Sequence, residues 1–481
     1  MRKIKRLAAA AAAMTMVFSL AACGSGDSSG GSNAETTTTV EKKLENSQQD
    51  VVDSIANDST ADDRVLENSE IKWFSFWDIN PTASEDKEIG VDLALFQSKY
   101  NGKITYISTT YETKFDDLAQ LVMAGDSPDF CGADDMDIFP KGAIKNMLEP
   151  IDDYIDFSTD LWKDIKDASD QFMYKGKHYV GISRVDPAYI WVFNQTVLAE
   201  LDIENPKEMW ANGDWNWETM AQMCVDFADP ENDKYALDAW YYENALTEST
   251  GKPLIGMENG NIVNNIDDPT IAKAQEMMYE LQKNNVVYPK HEHAWTVRGG
   301  KDAWGTGLAS GLTLFYPIGF WAIEDAPSKT APFGDISKGD VMFVPVPCAK
   351  DSDAQYIPSR VHGFCIVKNT KNPMGVAAWL DCTRYAEADP KAKQITADQL
   401  TEDYGWTQEM IDMREEIYKM AAEHPVFEFA AGISKDISNT TDNIIKATMH
   451  PSDPKSWTAT VEEWKLTLDF LINEAQENIE G

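Results

Sequence analysis

The sequence predicts an α/β fold, because short apolar segments alternate with amphipathic helical segments and because the last third of the chain is helical in pattern. Residues 71–77, 104–108 and 129–132 have the apolar character of strands. Residues 88–100 and 114–123, which lie between them, carry apolar side chains at helical spacing. This strand–helix–strand order favours a mostly parallel sheet with helices on both faces.

The predicted helices have a clear apolar face and recognisable stop signals. The first carries Ile89, Leu93 and Phe96 on one face, and Asn101-Gly102 ends it. In the C-terminal third, the same pattern predicts helices over residues 373–385, 407–422, 435–449 and 456–479.

The N-terminus has the layout of an export signal. Four basic residues lie within the first six positions, an apolar run covers residues 7–20, and the tripeptide Leu-Ala-Ala precedes Cys23. The sequence around Cys23 resembles the bacterial lipobox, which implies that residues 1–22 are a lipoprotein signal peptide and that Cys23 carries the lipid. The alternatives are an ordinary signal peptide with an incidental cysteine, or a transmembrane helix, which needs about 20 apolar residues. We expect a protein that its lipid holds at the outer face of the bacterial cell membrane.

The segment that follows is predicted to be a flexible tether. Residues 23–70 are rich in Ser, Thr, Asp, Gln and Asn and nearly free of aromatic side chains. Such a composition buries too little apolar surface to offset the entropy of ordering. The globular part is therefore predicted to start at Ile71.

The charge of the chain excludes one class of partner. It has 42 basic and 80 acidic residues, a net charge of −38, which becomes −42 when the four basic residues of the signal are removed. A surface this acidic repels phosphate backbones and anionic lipid headgroups. Nucleic acid is therefore not expected as a partner, and a neutral or cationic ligand fits better than an anionic one.

The cysteines and histidines indicate neither a disulfide framework nor a metal site. Five cysteines remain after Cys23, an odd number with irregular spacing and no Cys-x-x-Cys, so we expect buried free thiols. His291 and His293 lie in a Pro- and Lys-containing segment without a His-Glu-x-x-His motif. No metal and no cofactor are expected.

Several segments occur in the order known from one protein family. The most specific is residues 114–120, which lead into the Gly turn and the Pro-Asp strand entry of residues 123–129. The others are residues 71–77, 174–181, 192–195, 215–220, 311–321, 344–347 and 369–373. Together they resemble the extracellular solute-binding proteins of bacterial ABC importers, family 1, sugar-binding type, which include maltodextrin-binding proteins. The chain departs from the family pattern at Phe193 and Gln195, where the family has Tyr and Lys.

The resemblance implies a two-lobe periplasmic-binding-protein-like fold with a hinge and a central ligand cleft. It also implies that the chain acts as a monomer, is not an enzyme, and delivers a mono- or oligosaccharide to ABC permease subunits. We expect lobe one to comprise residues 71–183 plus 347–385, and lobe two to comprise residues 184–346 plus 386–481.

Candidate ligand-binding residues are aromatic or polar side chains just past strand ends, because sugar rings offer apolar faces for stacking and hydroxyls for hydrogen bonds. The family places an aromatic stacking platform at the position of Trp321. Structural alternatives stay open: Trp77 could be buried and Asp78 could hold a turn, Asp134 and Asp135 could form a helix N-cap, and His362 could be a structural residue. The candidates are Trp77 and Asp78, Asp134 and Asp135, Tyr189, Trp240, Trp321, Arg360, His362 and Phe429.

Two other functions remain open at this point. The same scaffold binds peptides or other polar solutes, and the negative charge of the chain would suit a cationic ligand. A surface glycoside hydrolase or polysaccharide lyase would need a pair of carboxyls such as Asp134 and Asp135. Adjacent residues rarely place two carboxyls at the separation of about 5–9 Å that glycoside hydrolysis requires, so this alternative is the weaker one.

Overall fold

Strands and helices alternate along most of the chain. The computed structural model describes residues 44–57, 64–81, 89–239, 241–258, 260–289, 305–325 and 327–480. The strands are β1 (Glu70–Ser75), β2 (Lys103–Ser108), β3 (Phe130–Gly132), β4 (Met173–Tyr174), β5 (Lys177–His178), β6 (Gly181–Pro187), β7 (Ile190–Asn194), β8 (Tyr235–Leu237), β9 (Ile255–Glu258), β10 (Asn261–Asn264), β11 (Thr313–Ile318), β12 (Val341–Val344), β13 (Ile357–Ile366) and β14 (Pro425–Phe427).

The helices cover the sheets and dominate the C-terminal third. They are α1 (Asn46–Ala56), α2 (Val91–Tyr100), α3 (Lys114–Ala124), α4 (Lys141–Ile144), α5 (Lys166–Ser169), α6 (Gln195–Glu200), α7 (Pro206–Asn212), α8 (Trp217–Phe227), α9 (Tyr242–Glu248), α10 (Pro269–Lys283), α11 (Pro327–Thr330), α12 (Pro373–Ala388), α13 (Pro390–Tyr404), α14 (Gln408–Glu423), α15 (Ala430–Ile433), α16 (Lys435–Lys446) and α17 (Trp457–Glu480). Short 3₁₀ turns cover Lys163–Ile165, Asp170–Phe172, Pro230–Asn232, Phe320–Ala322 and Ile336–Lys338.

The strands form two main sheets. The first has six strands in the order β14-β13-β3-β1-β2, with β6 on the other edge of β13, and the second has four strands in the order β12-β7-β11-β8. In the first sheet β1 runs parallel to β2 and β3, whereas β13 runs antiparallel to β3 and β6. The predicted run of β1, β2 and β3 is therefore parallel, and β14 is parallel to β13. The two antiparallel pairings were not predicted, and they arise because β13 returns from the second sheet and enters the first in the opposite direction.

The predicted elements of the first lobe are confirmed to within a few residues. Helix α2 ends at Asn101, which has the left-handed conformation with φ 49°, and α3 ends at Gly125 with φ 79°. Both residue types tolerate positive φ, which is why the stop signals were readable. Helix α13 was not predicted as a separate element.

Helix α1 lies within the segment predicted as a tether, and it packs on the folded body. Val52 is fully buried, and α1 is joined to α2 by hydrogen bonds from Ser98 Oγ to Asp53 Oδ1 (2.6 Å) and from Lys99 Nζ to the Ala56 carbonyl oxygen (3.2 Å). Residues 46–56 are therefore part of the folded structure.

Each main sheet has its own hydrophobic core. In the first, the Trp379 ring lies 5.7 Å from Phe96 and from Phe364 and 6.3 Å from Phe130. Buried side chains of α16 and α17, which were predicted to belong to lobe two, are part of this first core. The lobe boundaries given above stay predictions.

The second core centres on Phe315 of β11. Its ring lies 5.6 Å from Trp215, 6.1 Å from Trp191 and 6.5 Å from Phe193. All four side chains are at most 4% exposed. Two sheets with separate cores of this kind form two lobes.

The chain passes between the sheets more than once. Ala188 and Tyr189 are the two residues between β6 of the first sheet and β7 of the second. The Ala188 amide donates a hydrogen bond to the Pro358 carbonyl oxygen of β13 (2.7 Å), which ties this link to the first sheet. The chain returns between Val344, the end of β12, and Ile357, the start of β13.

Two further features concern the cellular setting. The five cysteines in the described ranges are free and buried, as expected. Among the helices of the described ranges, none combines the length and the apolar character that a membrane crossing requires.

Replacement of the central aromatic of the second core tests its contribution. Phe315→Ala is expected to lower the free energy of unfolding by about 3–5 kcal/mol, because it removes a fully buried ring and leaves a cavity. Urea denaturation measures the change. Phe470→Ala on α17, where the side chain is 66% exposed, is the matched control and should change stability by less than about 0.5 kcal/mol. Equal effects of the two substitutions would contradict this description of the core.

Candidate functional site

A polar cavity of about 220 Å³ lies where the link between the sheets, the end of β3 and helices α9 and α16 meet. Its wall combines aromatic rings, carboxyl groups and small residues from distant parts of the chain. The lining residues are Tyr111, Asp134, Asp135, Met136, Ala188, Tyr189, Tyr241, Asn244, Glu248, Trp321, Ser359, Arg360, Glu428, Ala430, Ala431, Ser438, Thr441 and Asp442.

Five of the predicted site residues line this cavity together. Asp134 and Asp135 directly follow β3, Tyr189 is in the link between the sheets, Trp321 follows β11, and Arg360 is on β13. The antiparallel pairing of β13 with β6 brings Arg360 beside the link, and its pairing with β3 brings the aspartates to the same edge. Ends of strands and the connections between them are the usual place for a ligand in α/β sheets.

Trp77 and Asp78 are not among the lining residues of this cavity. The Trp77 carbonyl oxygen accepts a hydrogen bond from Trp73 Nε1 (2.9 Å), and the two rings meet edge-on at 5.4 Å. Asp78 Oδ1 accepts hydrogen bonds from the Asn80 amide and from Asn80 Nδ2, both at 2.9 Å. Asp78 therefore holds a turn, which is the structural alternative given for it above.

His362 and Phe429 are likewise not among the lining residues of this cavity. His362 is paired in register with Arg184 on β6, and burial together with this guanidinium lowers the pKa of its imidazole to about 4. Phe429 is 2% exposed and packs on Phe172 at 5.3 Å, so it belongs to the first core. Trp240 lies outside the described residues, as does Cys23.

Trp321 presents its indole to the cavity from a 3₁₀ turn, and 39% of the residue is exposed. The preceding Gly319 permits this position, because a Cβ atom there would lie 2.4 Å from Trp321 Nε1. The neighbouring Phe320 anchors the turn by stacking on Tyr418 at 5.6 Å with an interplanar angle of 18°. The turn that carries Trp321 is thus anchored through Phe320, while part of the Trp321 side chain faces the solvent.

Other aromatic rings surround the same space. Tyr189 and Tyr241 stack on each other at 5.3 Å with an interplanar angle of 23°. Tyr111 is 55% exposed, meets Phe76 edge-on at 5.3 Å, and has Lys114 Nζ 4.5 Å from its ring centroid. The cavity therefore offers several apolar faces at its rim and its back.

The aspartates after β3 differ in their partners. Lys114 forms an ion pair with Asp135 and another with Asp137 at 3.0 Å. Burial disfavours the charged form of Lys114, but the two carboxylates outweigh it and raise the pKa of the amine. Burial and the charge of Asp135 raise the pKa of Asp134 to about 6, and Arg360 opposes this shift.

Glu428 is a lining residue that sequence reasoning missed. Its carboxylate accepts hydrogen bonds from the Ile255 amide (3.1 and 3.2 Å) and from the Ala430 amide (3.0 Å). Burial nevertheless raises the pKa of Glu428 to about 7, with Asp442 adding to the shift.

Sequence reasoning also missed Tyr111, Glu248, Thr441 and Asp442. Tyr241 was considered together with Trp240 as one of two adjacent rings, and it lines the cavity. Glu428 neighbours Phe429, which was selected, so a one-residue shift in that segment would have found it. The residues on α9 and α16 carry no local signal, because only the packing of these helices brings them to the cavity.

A larger groove continues from the cavity. It has a volume of about 720 Å³ and shares Tyr111, Ala431 and Ser438 with the cavity. Its far part is lined by Phe115 with Lys141 Nζ and Lys145 Nζ over the ring at 4.7 and 5.0 Å. The site can thus receive a ligand longer than one ring.

The chemistry of the lining is that of hydrogen bonding and stacking. Carboxylates and an amide side chain accept or donate hydrogen bonds, and Arg360 supplies a guanidinium. In the described part of the chain, no group of three or more His, Cys, Asp or Glu side chains is arranged to hold a metal ion.

The sequence matches one family model and the fold matches many solved structures. The model described as bacterial extracellular solute-binding protein matches residues 93–400, which is more than half of the chain. No curated protein sequence matches the chain significantly.

The similar structures have low sequence identity, so they inform on the fold alone. The sugar-binding protein MalE of Xanthomonas citri has a TM-score of 0.59 at 14% identity, covering 85% of this chain and 99% of that one. An ABC substrate-binding protein of Listeria monocytogenes in complex with cycloalternan has a TM-score of 0.57 at 15% identity, covering 83% of this chain and 99% of that one. A binding protein of B. animalis subsp. lactis in complex with β-1,6-galactobiose has a TM-score of 0.57 at 16% identity, covering 85% of this chain and 98% of that one. The predicted two-lobe α/β fold is confirmed.

The raised pKa of Glu428 predicts a pH-dependent difference in stability. A carboxyl whose folded pKa exceeds its unfolded value of 4.5 stabilises the fold fully below pH 4.5 and loses this contribution as the pH rises to about 7. Glu428→Gln does not titrate, so the free energy of unfolding of the native protein should fall more steeply than that of the variant between these two pH values.

Urea denaturation across this pH range measures the difference between the two proteins. Glu423→Gln on the exposed end of α14 is the matched control and should follow the native profile. Parallel profiles for native protein and Glu428→Gln would show that the Glu428 carboxyl titrates alike in folded and unfolded chains.

Proposed function

The chain belongs to the family of bacterial extracellular solute-binding proteins, and we propose that its solute is a carbohydrate that it delivers to the permease of an ABC importer. The observation that carries this proposal is the exposed indole of Trp321 at a cavity rich in carboxyls. A sugar ring has an apolar face, which stacks on an indole. It also has hydroxyl groups, which donate hydrogen bonds to carboxylates.

The shape of the site favours an oligosaccharide over a single sugar. The cavity of about 220 Å³ continues into the groove of about 720 Å³, and Tyr111 is common to both. A second ring of the ligand that stacks on Tyr111 would enter the groove. Of the three similar structures described above, one is a sugar-binding protein and two are complexes with cycloalternan and with β-1,6-galactobiose, which supports the same class for this chain.

Capture is proposed to work by closure of the two lobes about the link at Ala188 and Tyr189. The lining residues come from both sheets, for example Arg360 from β13 of the first and Trp321 after β11 of the second. A ligand that contacts both gains its full binding energy only in the closed state, so it shifts the population toward closure. The closed form is the one that would dock on the permease subunits.

Binding without turnover is part of the proposal. The nearest candidate for a catalytic pair is Asp134 with Asp135, and Asp135 is held by Lys114 in an ion pair. Glycoside hydrolysis needs two carboxyls on opposite sides of the glycosidic bond, which adjacent residues of one loop rarely provide. Two adjacent carboxyls are better suited to hydrogen bonding with sugar hydroxyls. A peptide or other polar solute remains the second candidate, because five of the six charged side chains that line the cavity are acidic and would suit a cationic ligand.

We further propose that a lipid on Cys23 anchors the protein to the outer face of the cell membrane and that residues 1–22 are removed. The support for this is the sequence of basic residues, apolar run and Leu-Ala-Ala-Cys. Two acyl chains on one residue are enough for stable anchoring, whereas one chain is marginal.

Removal of the Trp321 indole tests the sugar site. Calorimetry against a panel of mono- and oligosaccharides should show binding by the native protein and at least about tenfold weaker binding by Trp321→Ala, because the stacking surface is lost. Trp210→Ala on α7, which is not among the lining residues and donates a hydrogen bond to Glu416, is the matched control and should bind like the native protein. If no sugar binds while peptides do, the proposed class is wrong.

Substitution of Cys23 tests the anchor. Cys23→Ser expressed in a bacterial host should leave the membrane fraction and lose the mass of the lipid, because the serine hydroxyl does not form the thioether. Mass spectrometry of the N-terminal peptide and fractionation measure both. Cys224→Ser, at a buried thiol, is the control and should remain in the membrane fraction. An unchanged distribution of Cys23→Ser would contradict the anchor.

A further inference from the structure

Glu248 is a buried carboxyl that faces the cavity without a partner from the described part of the chain. It is the last residue of α9, is 3% exposed, and lines the cavity. No hydrogen bond or ion pair joins its carboxyl to another described residue. A buried carboxylate is unfavourable unless a hydrogen-bond donor or a cation pairs with it. Its place at a helix C-terminus favours a cation there as well.

Two further carboxyls surround the same end of the cavity. Burial raises the pKa of Glu248 well above its usual value, and the nearby charge of Glu428 adds to the shift. Asp442 acts on Glu428 in the same direction, and its own partner is Lys446 at 3.2 Å. The lining as a whole carries five carboxyls and, among its described residues, a single guanidinium. Without a ligand, burial and crowding favour the neutral, protonated carboxyls, whereas a positive charge on the ligand would stabilise the carboxylate form, which a neutral hydroxyl would not.

Thr441 gives an independent indication that a hydrogen-bonding ligand occupies this end. The residue is 2% exposed and lines the cavity, and its Oγ1 has no hydrogen-bond partner among the described residues. Unpaired buried hydroxyls are costly, so they usually have a partner in the functional complex. The stacked rings of Tyr189 and Tyr241 line the same cavity, and aromatic faces attract an ammonium group.

We propose that the carbohydrate bound by this protein carries a free, protonated amine and that this ammonium lies against Glu248. The proposal rests on the carbohydrate function proposed above and specifies its substrate class as a cationic amino sugar. Glu428, Asp442 and the Thr441 hydroxyl complete the environment of the amine, while the exposed indole of Trp321 receives a ring face. The acidic surface of the whole chain would also speed the approach of such a ligand.

The test compares sugars that differ at one substituent only. Calorimetry at neutral pH uses glucosamine, galactosamine and mannosamine and the β-1,4-linked glucosamine dimer and trimer. Each is paired with its hydroxyl counterpart and with its N-acetyl counterpart. The amine is expected to bind at least about tenfold tighter than either counterpart, since a hydrogen bond between an ammonium and a carboxylate is stronger than one between neutral groups.

Glu248→Gln is expected to reduce this preference to about twofold or less while the binding of the hydroxyl counterpart persists. Glu280→Gln on α10, whose carboxylate is 61% exposed and pairs with Lys283, is the matched control and should keep the preference. Should Glu248→Gln fail to fold, Asp442→Asn provides the second variant, and it should lower the preference severalfold.

The outcomes separate this inference from the function on which it rests. Equal or tighter binding of hydroxyl or N-acetyl sugars would contradict the proposal that the ligand carries a free amine, and it would leave the carbohydrate function supported. An amine preference that persists in Glu248→Gln overturns the assignment to Glu248. Binding of the polyamine spermidine, with no sugar of any series bound, overturns the carbohydrate function itself.

Discussion

Strand β13 is the element on which the rest of the site depends. Its ten residues pair with β6 along one edge and with β14 and then β3 along the other. Because the strand enters from the second sheet and runs antiparallel to β3, it brings Arg360 to the same cavity as Asp134 and Tyr189. The hydrogen bond from the Ala188 amide to Pro358 fixes the link between the sheets to this strand. A shift of its register would separate the three side chains, since neighbouring residues of a strand point to opposite faces.

The second lobe presents its aromatic platform with support from buried charge. Phe320 stacks on Tyr418, and the Arg414 guanidinium lies 4.3 Å from the Tyr418 ring centroid and 3.6 Å from the Glu324 carboxylate. Arg184, which belongs to the first sheet, lies 5.7 Å from the same ring. Tyr418 therefore contacts residues of both lobes: Phe320, in the turn that carries Trp321, and Arg184 of the first sheet. These contacts stabilise the turn that presents the Trp321 indole.

The balance of charge in the cavity gives the site its chemical character. The carboxyls of the cavity differ in how they are satisfied: Asp135 has Lys114, Glu428 has two backbone amides, and Glu248 has no partner in the described part of the chain. Each satisfied group is held in place before a ligand arrives, which lowers the cost of ordering on binding. The unpaired group is the one whose free energy changes most when a donor or a cation enters, and it is therefore the group most able to discriminate between ligands.

Local sequence patterns were enough to predict the α/β class, most element boundaries of the first lobe, and five residues of the cavity wall. These patterns are apolar spacing, residues that tolerate positive φ, and aromatic or polar residues soon after strands. They did not predict that β13 runs antiparallel to β3 and β6, that His362 pairs in register with Arg184, or that Glu248 and Thr441, from two separate helices, line the same cavity. Strand direction and helix packing are set by contacts between residues far apart in the chain, and no local segment contains the free energy of those contacts.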